Sequence, residues 1–236
     1  MADEEPSLPL RWFWNAYARA YDFIWDSPLT EAIMREATRA VPKAGSRASC
    51  AVDLGCGTGL SARALDSRGY DVVGVDSCGC MLSRAVAYGR VSRVVLTDAA
   101  SSGLADASAG IVCAANVLHL HARPTDVLDE AHRLLVPGGV LLCVWPADTL
   151  TLGYLLSADM RAGRGAASAL AAAACRLAFG VMGAPLGARR HASEEVRACV
   201  GTWALGRGYR VIDQGVAERV SEYAVMRKVD VDANST

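Results

Sequence analysis

The chain has 236 residues, with 24 Lys and Arg against 25 Asp and Glu, so its formal net charge is −1 at pH 7. This length suits one domain with a full-sized core, and no linker rich in Pro, Gly or Ser divides the chain into comparable halves. The basic residues are scattered, whereas binding to a nucleic-acid backbone requires them to be concentrated. We therefore expect no nucleic-acid partner and a substrate that is small or neutral.

The cysteines and the first residues bear on the cellular compartment. Four of the eight cysteines lie within apolar runs, where we expect small buried hydrophobic side chains. These four are Cys50, Cys113, Cys143 and Cys175. The first ten residues, MADEEPSLPL, are acidic and polar, whereas a secretory leader is basic and then apolar. Both observations favour a reducing, cytoplasmic environment.

Residues 1–44 are predicted to form an N-terminal cap with aromatic and helical character. Aromatic side chains crowd the stretch from Arg11 to Asp26, which indicates a partner surface or a ligand. They are Trp12, Phe13, Trp14, Tyr17, Tyr21, Phe23 and Trp25. Pro28 then begins a predicted helix that continues to about Ala40 and ends before Pro42.

Residues 45–145 alternate short apolar runs with amphipathic helical stretches, a pattern typical of βαβ units in a parallel sheet. The predicted strands are Cys50–Leu54, Asp71–Val75, Val91–Leu96, Ile111–Ala115 and Val140–Trp145. The predicted helices are Leu60–Gly69, Met81–Gly89 and one around Val127–Leu135, followed by a turn at Pro137–Gly139. We predict that a cofactor binds in this part of the chain, for the reasons given below.

Residues 146–192 break this alternation. They are predicted to be a helical insertion that forms a lid over the edge of the sheet where ligands bind. The stretch Ala166–Gly187 is rich in alanine, but Arg176 in its middle and Pro185 near its end argue against a membrane span.

Residues 193–228 are predicted to return to the core. Ser193 is expected to cap a helix, and strands are predicted at about Tyr209–Val216 and Ser221–Lys228. Residues 229–236 are expected to be a disordered tail. The whole chain thus predicts a doubly wound α/β fold with a mostly parallel seven-stranded sheet and helices on both faces.

A glycine-rich loop follows the first predicted strand, at Asp53–Gly59. Its glycines permit a tight turn and let a ligand approach the backbone, as in dinucleotide enzymes. However, the spacing is G-x-G-x-G rather than G-x-G-x-x-G, and an acid precedes the first glycine. A carboxylate repels a phosphate but attracts a cationic amino-acid group, so the loop favours S-adenosylmethionine over a dinucleotide.

Two further acids end neighbouring predicted strands. Asp76 lies about twenty residues beyond the glycine loop, where a carboxylate accepts hydrogen bonds from both ribose hydroxyls. Asp98, followed by Ala99, ends the next strand, where a carboxylate oxygen accepts from an adenine amino group. The alternatives are a carboxylate at a helix N-terminus for Asp76 and a solvated loop acid for Asp98.

Five motifs resemble those of the class I S-adenosylmethionine-dependent methyltransferases, particularly their small-molecule branch. They are DLGCGTG at 53–59, VDSCGCML at 75–82, TDAA at 97–100, NVLHL at 116–120 and RLLVPGGVLL at 133–142. With the closing stretch from SEEVRACV to GYRV, the resemblance covers residues 45–228. The motifs are specific for the family but not for the acceptor, because they describe the cofactor half of the site.

The resemblance implies a role for each matching residue. The methionine portion of S-adenosylmethionine would lie against Asp53, Gly55, Gly57 and Gly59, with Asn116 near the sulfonium. The ribose would bind Asp76, and the adenine would contact Met81, Asp98 and Ala99. Tyr17 and Tyr21 would close over the cofactor, and the site is also expected to include Cys56, Thr58 and Ser77.

Cys78 and Cys80 depart from the family pattern, because relatives commonly carry a short polar or proline-containing turn here. Two thiols this close suggest a metal or arsenic ligand pair. Since no second pair of ligands is visible in the sequence, we expect no metal site and interpret both as turn residues.

The catalytic chemistry demands few signature residues. Methyl transfer from a sulfonium is an in-line displacement, so the protein supplies proximity, orientation and, for a hydroxyl or a protonated amine, a base. His119 and His121 follow the fourth predicted strand and are the candidate bases, with His121 preferred. The alternative for either histidine is a packing role under the loop.

The acceptor depends on the aromatic cap and the insertion, both of which are apolar. We therefore expect a hydrophobic or aromatic small molecule, such as a secondary metabolite or a quinone-like compound, methylated on oxygen, nitrogen or carbon. Three alternatives are an S-adenosylmethionine-binding cyclase or isomerase, an NAD-dependent oxidoreductase, and a non-catalytic subunit. A homodimer also stays open.

Overall fold

A seven-stranded sheet organises the protein in a computed structural model, which describes residues 8–45, 49–148, 151–183 and 191–229. The strands are β1 (Cys50–Leu54), β2 (Asp71–Asp76), β3 (Arg93–Leu96), β4 (Ala109–Ala115), β5 (Leu135–Pro146), β6 (Tyr209–Ala217) and β7 (Ser221–Lys228). Their order in the sheet is β3-β2-β1-β4-β5-β7-β6. All neighbours pair in parallel except β7, which is antiparallel to both β5 and β6. The predicted doubly wound α/β fold is confirmed.

Helices cover both faces of this sheet. They are α1 (Leu8–Trp25), α2 (Pro28–Ala37), α3 (Leu60–Asp66), α4 (Gly79–Ala87), α5 (Pro124–Leu134), α6 (Leu152–Arg161), α7 (Ala166–Gly183) and α8 (Ser193–Gly206). The sheet has an apolar core on each face. On strand β4, Val112 packs with α5 and α8 on one face, whereas its neighbours Ile111 and Cys113 pack with α2, α3 and α6 on the other. Successive side chains of a strand point to opposite faces, so a central strand needs apolar residues throughout.

The parallel pairing brings the sequence motifs to one edge of the sheet. Leu54 is paired with Val75, Asp76 with Leu96, and Asp53 with Cys113, so β1 to β4 end side by side. Chain order reverses at β1, which has β2 on one side and β4 on the other. Such a reversal leaves a crevice at the carboxyl ends of the strands, where ligands bind in open α/β sheets.

Most predicted elements differ from the structure by a few residues at their ends, as β5 and α2 show. The predicted turn at Pro137–Gly139 lies inside β5, where Ala109 is opposite Leu135 but Ile111 is opposite Val140, so residues 136–139 bulge out of the ladder. Helix α2 ends three residues early, at Ala37, with Thr38 as its C-cap and the Thr38 hydroxyl bonded to the carbonyl of Met34 at 2.7 Å.

The predicted capping role of Ser193 is wrong. The N-cap of α8 is Ala192, and Ser193 lies in the first turn of the helix. Its hydroxyl instead accepts from Trp145 Nε1 at 3.1 Å and donates to Glu222 at 2.8 Å. The Asp148 carboxylate satisfies a free amide at the start of α8, because it accepts a hydrogen bond from the Ser193 backbone amide at 3.1 Å.

Helices α1, α6 and α7, which we call the cap helices, are joined by a buried ion cluster. Asp159 is fully buried and lies 2.8 Å from Arg176 and 3.3 Å from Arg164. Both arginines also donate to the carbonyl of Ile24 at 3.0 Å, near the end of α1. Because the last carbonyls of a helix lack intrahelical partners, this cluster satisfies the end of α1 and ties it to α6 and α7.

Arg176 therefore has a structural role within the alanine-rich stretch, where its guanidinium also lies over the ring of Trp25. Within the described residues, every helix is too short or too polar to cross a membrane. Residues 184–190 of the predicted lid and 230–236 of the predicted tail lie outside the described residues. The division into cap, core and lid remains a prediction.

The eight cysteines are all free. Cys113 and Cys143 are fully buried between strands and helices, as their apolar surroundings predict. Cys50 and Cys175 are only half-buried, because they lie at the start of β1 and on the partly exposed helix α7.

Candidate active site

The glycine loop after β1 adopts a conformation that its three glycines make accessible. Gly55, Gly57 and Gly59 have φ values of +70°, +54° and +81°, in the left-handed region. A Cβ at Gly55 would lie 2.6 Å from Val117, and one at Gly59 would lie 2.9 Å from the Cβ of Arg90. Packing therefore demands glycine at 55 and 59, whereas at Gly57 the nearest neighbour is the Tyr21 ring, 3.9 Å away. Among the three, Gly57 has the most room beside it.

Asp53 is a buried carboxyl group at the end of β1. Its Oδ2 accepts a hydrogen bond from the Ser61 hydroxyl at 2.5 Å, while no nitrogen or oxygen donor in the described residues reaches its Oδ1. Burial raises the pKa of Asp53 to about 7, and hydrogen bonds from Ser61 and the Cys113 thiol only partly oppose this. The buried oxygen Oδ1 is therefore suited to a further donor, such as a ligand ammonium or a water that binds one.

Asp76 ends β2 and links the glycine loop to the start of α4. Its Oδ2 accepts from the Gly57 amide at 2.9 Å and its Oδ1 from the Cys78 amide at 2.8 Å. Burial raises the pKa of Asp76 above its usual range. A carboxylate oxygen accepts more than one hydrogen bond, so Asp76 keeps capacity for ribose hydroxyls. Ser77 is exposed beside it, and Met81 is buried in α4.

Asp98 and His121, which the sequence analysis assigns to different tasks, form a pair. His121 Nε2 lies 3.1 Å from Asp98 Oδ1, which also accepts from the Ala100 amide at 2.7 Å. The hydrogen bond between them raises the pKa of His121 and lowers that of Asp98. His121 Nδ1 lies 2.9 Å from the Arg123 carbonyl, so its ring orientation is fixed at both nitrogens. Ala99 is buried next to Asp98.

Asn116 and His119 lie on the loop after β4. Asn116 is exposed and has a φ of +56°, a left-handed conformation that is uncommon outside glycine and is found at functional sites. Its amide donates to the Val144 carbonyl at 2.8 Å, which fixes this conformation against β5. The carbonyl of His119 accepts from the amide of His191, so the start of α8 adjoins the same loop.

Tyr21 on α1 lies beside the glycine loop, and Tyr17 packs against Tyr21. The Tyr21 ring is the neighbour of Gly57, and burial raises the pKa of its hydroxyl well above the usual value. Tyr17 packs edge-on against Tyr21 at 5.4 Å between ring centroids, and its hydroxyl accepts from Trp25 Nε1 at 2.6 Å. Phe179 of α7 approaches Tyr17 to 4.8 Å. The structure thus brings Tyr21 to the loop, with Tyr17 behind it.

An ion-pair network, which the sequence analysis missed, holds α1 in this position. Arg90 is buried and donates to Asp22 at 2.5 Å, to Asp26 at 2.6 Å and to the Thr58 carbonyl at 3.0 Å. The Thr58 hydroxyl donates to Asp22 as well, at 2.8 Å. Although burial alone raises the pKa of Asp22, hydrogen bonds from Arg90, Arg84 and Thr58 hold it below its usual value. The signal in the sequence is two acids four residues apart, at the end of an otherwise aromatic stretch.

Comparison with known proteins identifies the domain. The family model described as a methyltransferase domain matches residues 52–143, which include the glycine loop, Asp76, Asp98 and Asn116. Residues 52–143 form a methyltransferase domain. The chain as a whole has the class I methyltransferase fold, and S-adenosylmethionine is the cofactor of this enzyme class.

Solved structures share this fold at low sequence identity. An S-adenosylmethionine-dependent methyltransferase from Aquifex aeolicus is 15% identical, with a TM-score of 0.58 over 91% of this chain and 98% of that one. One from Mesorhizobium loti is 18% identical, with a TM-score of 0.58 over 84% and 99%. The methyltransferase-like chain in a complex with the Haloferax volcanii Trm112 methyltransferase activator is 18% identical, with a TM-score of 0.61 over 92% and 98%. No curated protein matches the chain.

The site in this domain fits S-adenosylmethionine in two observed respects. Asp53 holds a buried oxygen that lacks a nitrogen or oxygen donor, and Gly57 has no Cβ on the side where the loop faces Tyr21. Among the described residues, no cluster of three or more His, Cys, Asp or Glu is arranged to hold a metal ion. Cys78 is the N-cap of α4 and donates weakly to Asn15 Oδ1 at 3.6 Å, whereas Cys80 is exposed in the first turn of α4, so the interpretation of Cys80 as a turn residue is wrong.

We predict that binding of S-adenosylmethionine releases a proton from Asp53 near neutral pH. With a pKa of about 7, Asp53 is largely protonated at pH 6, whereas the cofactor ammonium favours its ionised form. Affinity should therefore rise as pH increases from 6 to 7, and Asp53→Asn should abolish both this rise and the proton release. Titration calorimetry in buffers of different ionisation enthalpy measures the proton count.

The control for this experiment is Asp71→Asn, which changes an exposed acid at the start of β2. The Asp71→Asn variant should still release the proton when it binds S-adenosylmethionine. The same proton release from the Asp53→Asn variant would contradict the assignment.

Proposed function

We propose that this methyltransferase transfers the methyl group of S-adenosylmethionine to an oxygen, nitrogen or carbon atom of a hydrophobic or aromatic small molecule. A secondary metabolite or a quinone-like compound has the required chemistry. The observation that supports this acceptor class is a cluster of aromatic rings contributed by two cap helices beside the glycine loop.

The aromatic cluster consists of five rings from α1 and α7. They are Phe13, Trp14, Tyr17, Tyr21 and Phe179. Phe13 stacks on Tyr17 at 5.8 Å, and Phe179 meets both of them edge-on at 6.1 and 4.8 Å. Because Tyr21 also borders Gly57, the cluster reaches from the lid to the cofactor loop. Aromatic walls favour flat, apolar acceptors through stacking and burial of apolar surface.

The residues at the sheet edge would hold the cofactor in the following way. Asp53 and the backbone of Gly55–Gly59, with Cys56 and Thr58, would contact the methionine portion, and Asn116 would lie near the sulfonium. Asp76 and Ser77 would bind the ribose, and Met81 and Ala99 would contact the adenine. When bound, the cofactor supplies a methyl group already activated by the positive sulfur, so these residues mainly position it.

His121 is the better candidate for a base. Asp98 and the Arg123 backbone orient its imidazole through both nitrogens, so one of these contacts would have to open before the ring could accept a proton from the acceptor. Asp98, which the family resemblance assigns to the adenine, is already hydrogen-bonded to His121. His119, two residues earlier on the same loop, is the second candidate.

The free cysteines support a reducing compartment, and we propose the cytoplasm as the site of action. A small-molecule acceptor also agrees with the near-zero net charge of the chain.

The acceptor class predicts how a lid substitution affects kinetics. Phe179→Ser should raise the KM for an aromatic acceptor about tenfold, since a buried aromatic contact contributes on the order of 1 to 2 kcal/mol, while the affinity for S-adenosylmethionine stays unchanged. The assay uses methyl-labelled cofactor with a panel of phenols, quinols and aromatic amines, and mass spectrometry detects the added methyl group. Leu170→Ser, on the exposed face of α7, is the control.

Two results would contradict this proposal. An unchanged KM in the Phe179→Ser variant would remove the aromatic cluster from the acceptor site. A product that is cyclised or isomerised, with the label retained by the cofactor, would favour a cyclase or isomerase.

The His121 hypothesis predicts a pH profile. A base acts when neutral, so kcat at saturating substrates should rise with pH through the pKa of His121, which Asp98 raises above 6.5. Asp98→Asn removes the negative charge, lowers that pKa and should shift the rising limb to lower pH. His121→Ala should lower kcat about 100-fold. If the limb persists unchanged in His121→Ala, the base lies elsewhere, and His119→Ala is then the informative variant.

A further inference from the structure

One face of α7 exposes apolar side chains only. Nine of the described residues of this helix are exposed, and none is polar. They are Ala166, Ala167, Leu170, Ala171, Ala174, Leu177, Ala178, Val181 and Met182. Their spacing of three and four residues places them on one stripe along the helix. Leu177 and Val181 are 56% and 67% exposed, so the body of the protein does not cover them.

The neighbouring cap helices extend this apolar surface on both sides. α1 packs along α7, with Phe13 near Phe179 and Ile24 near Arg176, so the two helices run antiparallel. The exposed side chains of α1 include Trp12, at 66%, and Phe23. On the other side, α6 exposes Leu152 and Met160. Contiguous apolar surface of this kind marks a site of interaction with a protein or a membrane.

The charges on this surface are of one sign. Among the described side chains of α1, α6 and α7, the exposed charged groups are Arg19 and Arg161. The acids of these helices, Asp22 and Asp159, are turned inward and paired with arginines. The surface therefore combines apolar side chains, an exposed tryptophan and positive charge.

We propose that the cap helices dock on an anionic lipid surface, with the α7 stripe at the boundary between headgroups and acyl chains and with Arg19 and Arg161 at lipid phosphates. Interfacial helices bind in this way, with apolar residues inward and Lys or Arg at the headgroups. A free interfacial helix needs a polar face toward water. In α7, the face opposite the apolar stripe packs against the rest of the protein instead. This docking does not depend on the acceptor proposed above.

A second copy of the chain fits this surface less well. In a two-fold dimer the same patch faces itself, so the arginines of both copies would meet an apolar surface on which the described residues expose no acid. Buried charges without partners disfavour such an interface. Anionic phosphates supply the missing partners.

Vesicle sedimentation tests this proposal with the full chain. The protein should sediment with vesicles of phosphatidylcholine and phosphatidylglycerol, and less with phosphatidylcholine alone. The double variant Leu177→Glu/Val181→Glu should lower the partition coefficient at least about tenfold, and Arg19→Gln about fivefold. Leu205→Glu is the matched control, because Leu205 is 83% exposed on α8, away from the cap, and should leave binding unchanged.

Three results would overturn the proposal. They are equal binding of the double variant and the control, equal binding to neutral and anionic vesicles, and a dimer in vesicle-free solution that the double variant dissociates. Affinity for S-adenosylmethionine, measured on each variant, shows that the fold is intact. Because vesicle binding requires no turnover, failure of this proposal is distinguishable from failure of the proposed methyl transfer.

Discussion

The buried guanidinium of Arg90 is the contact on which the arrangement of the site depends. It joins Asp22 of α1 and Asp26, the residue that follows α1, to the backbone of the glycine loop at Thr58. A charged group with 7% of its side chain exposed requires partners, and Arg90 has them in both acids and in the Thr58 carbonyl. The position of α1 is therefore coupled to that of the loop, and an aromatic helix remote in sequence becomes one wall of the cofactor site.

This coupling explains how one domain combines a general cofactor site with its own acceptor site. The strand ends supply the acids and glycines that match the methyltransferase domain family. The proposed acceptor side consists of α1, α6 and α7, which the Asp159 cluster holds together at the end of α1. Tyr21 touches both parts, because it belongs to the aromatic cluster and lies beside Gly57. A change at Tyr21 should thus be felt at the loop.

The sequence predicts the elements at the sheet edge well, because local patterns encode them. Apolar runs set the strands, and parallel pairing then places Asp53, Asp76 and Asp98 at one edge. Long-range pairings escaped prediction: Arg90 meets Asp22 across 68 residues, and Asp98 meets His121 across 23. Such contacts depend on how elements pack rather than on local spacing. For the same reason, the sequence predicts a helix cap at Ser193, whereas its hydroxyl in fact bonds to the distant residues Trp145 and Glu222.

Hydrogen exchange combined with cofactor affinity in an Arg90→Gln variant tests the coupling of α1 to the loop most directly. The account predicts faster amide exchange in α1, unchanged exchange in α5, and affinity for S-adenosylmethionine weakened at least about tenfold. Arg63→Gln, which removes a half-exposed partner of Asp26, should have a much smaller effect. Unchanged protection of α1 together with unchanged affinity in Arg90→Gln would contradict the account.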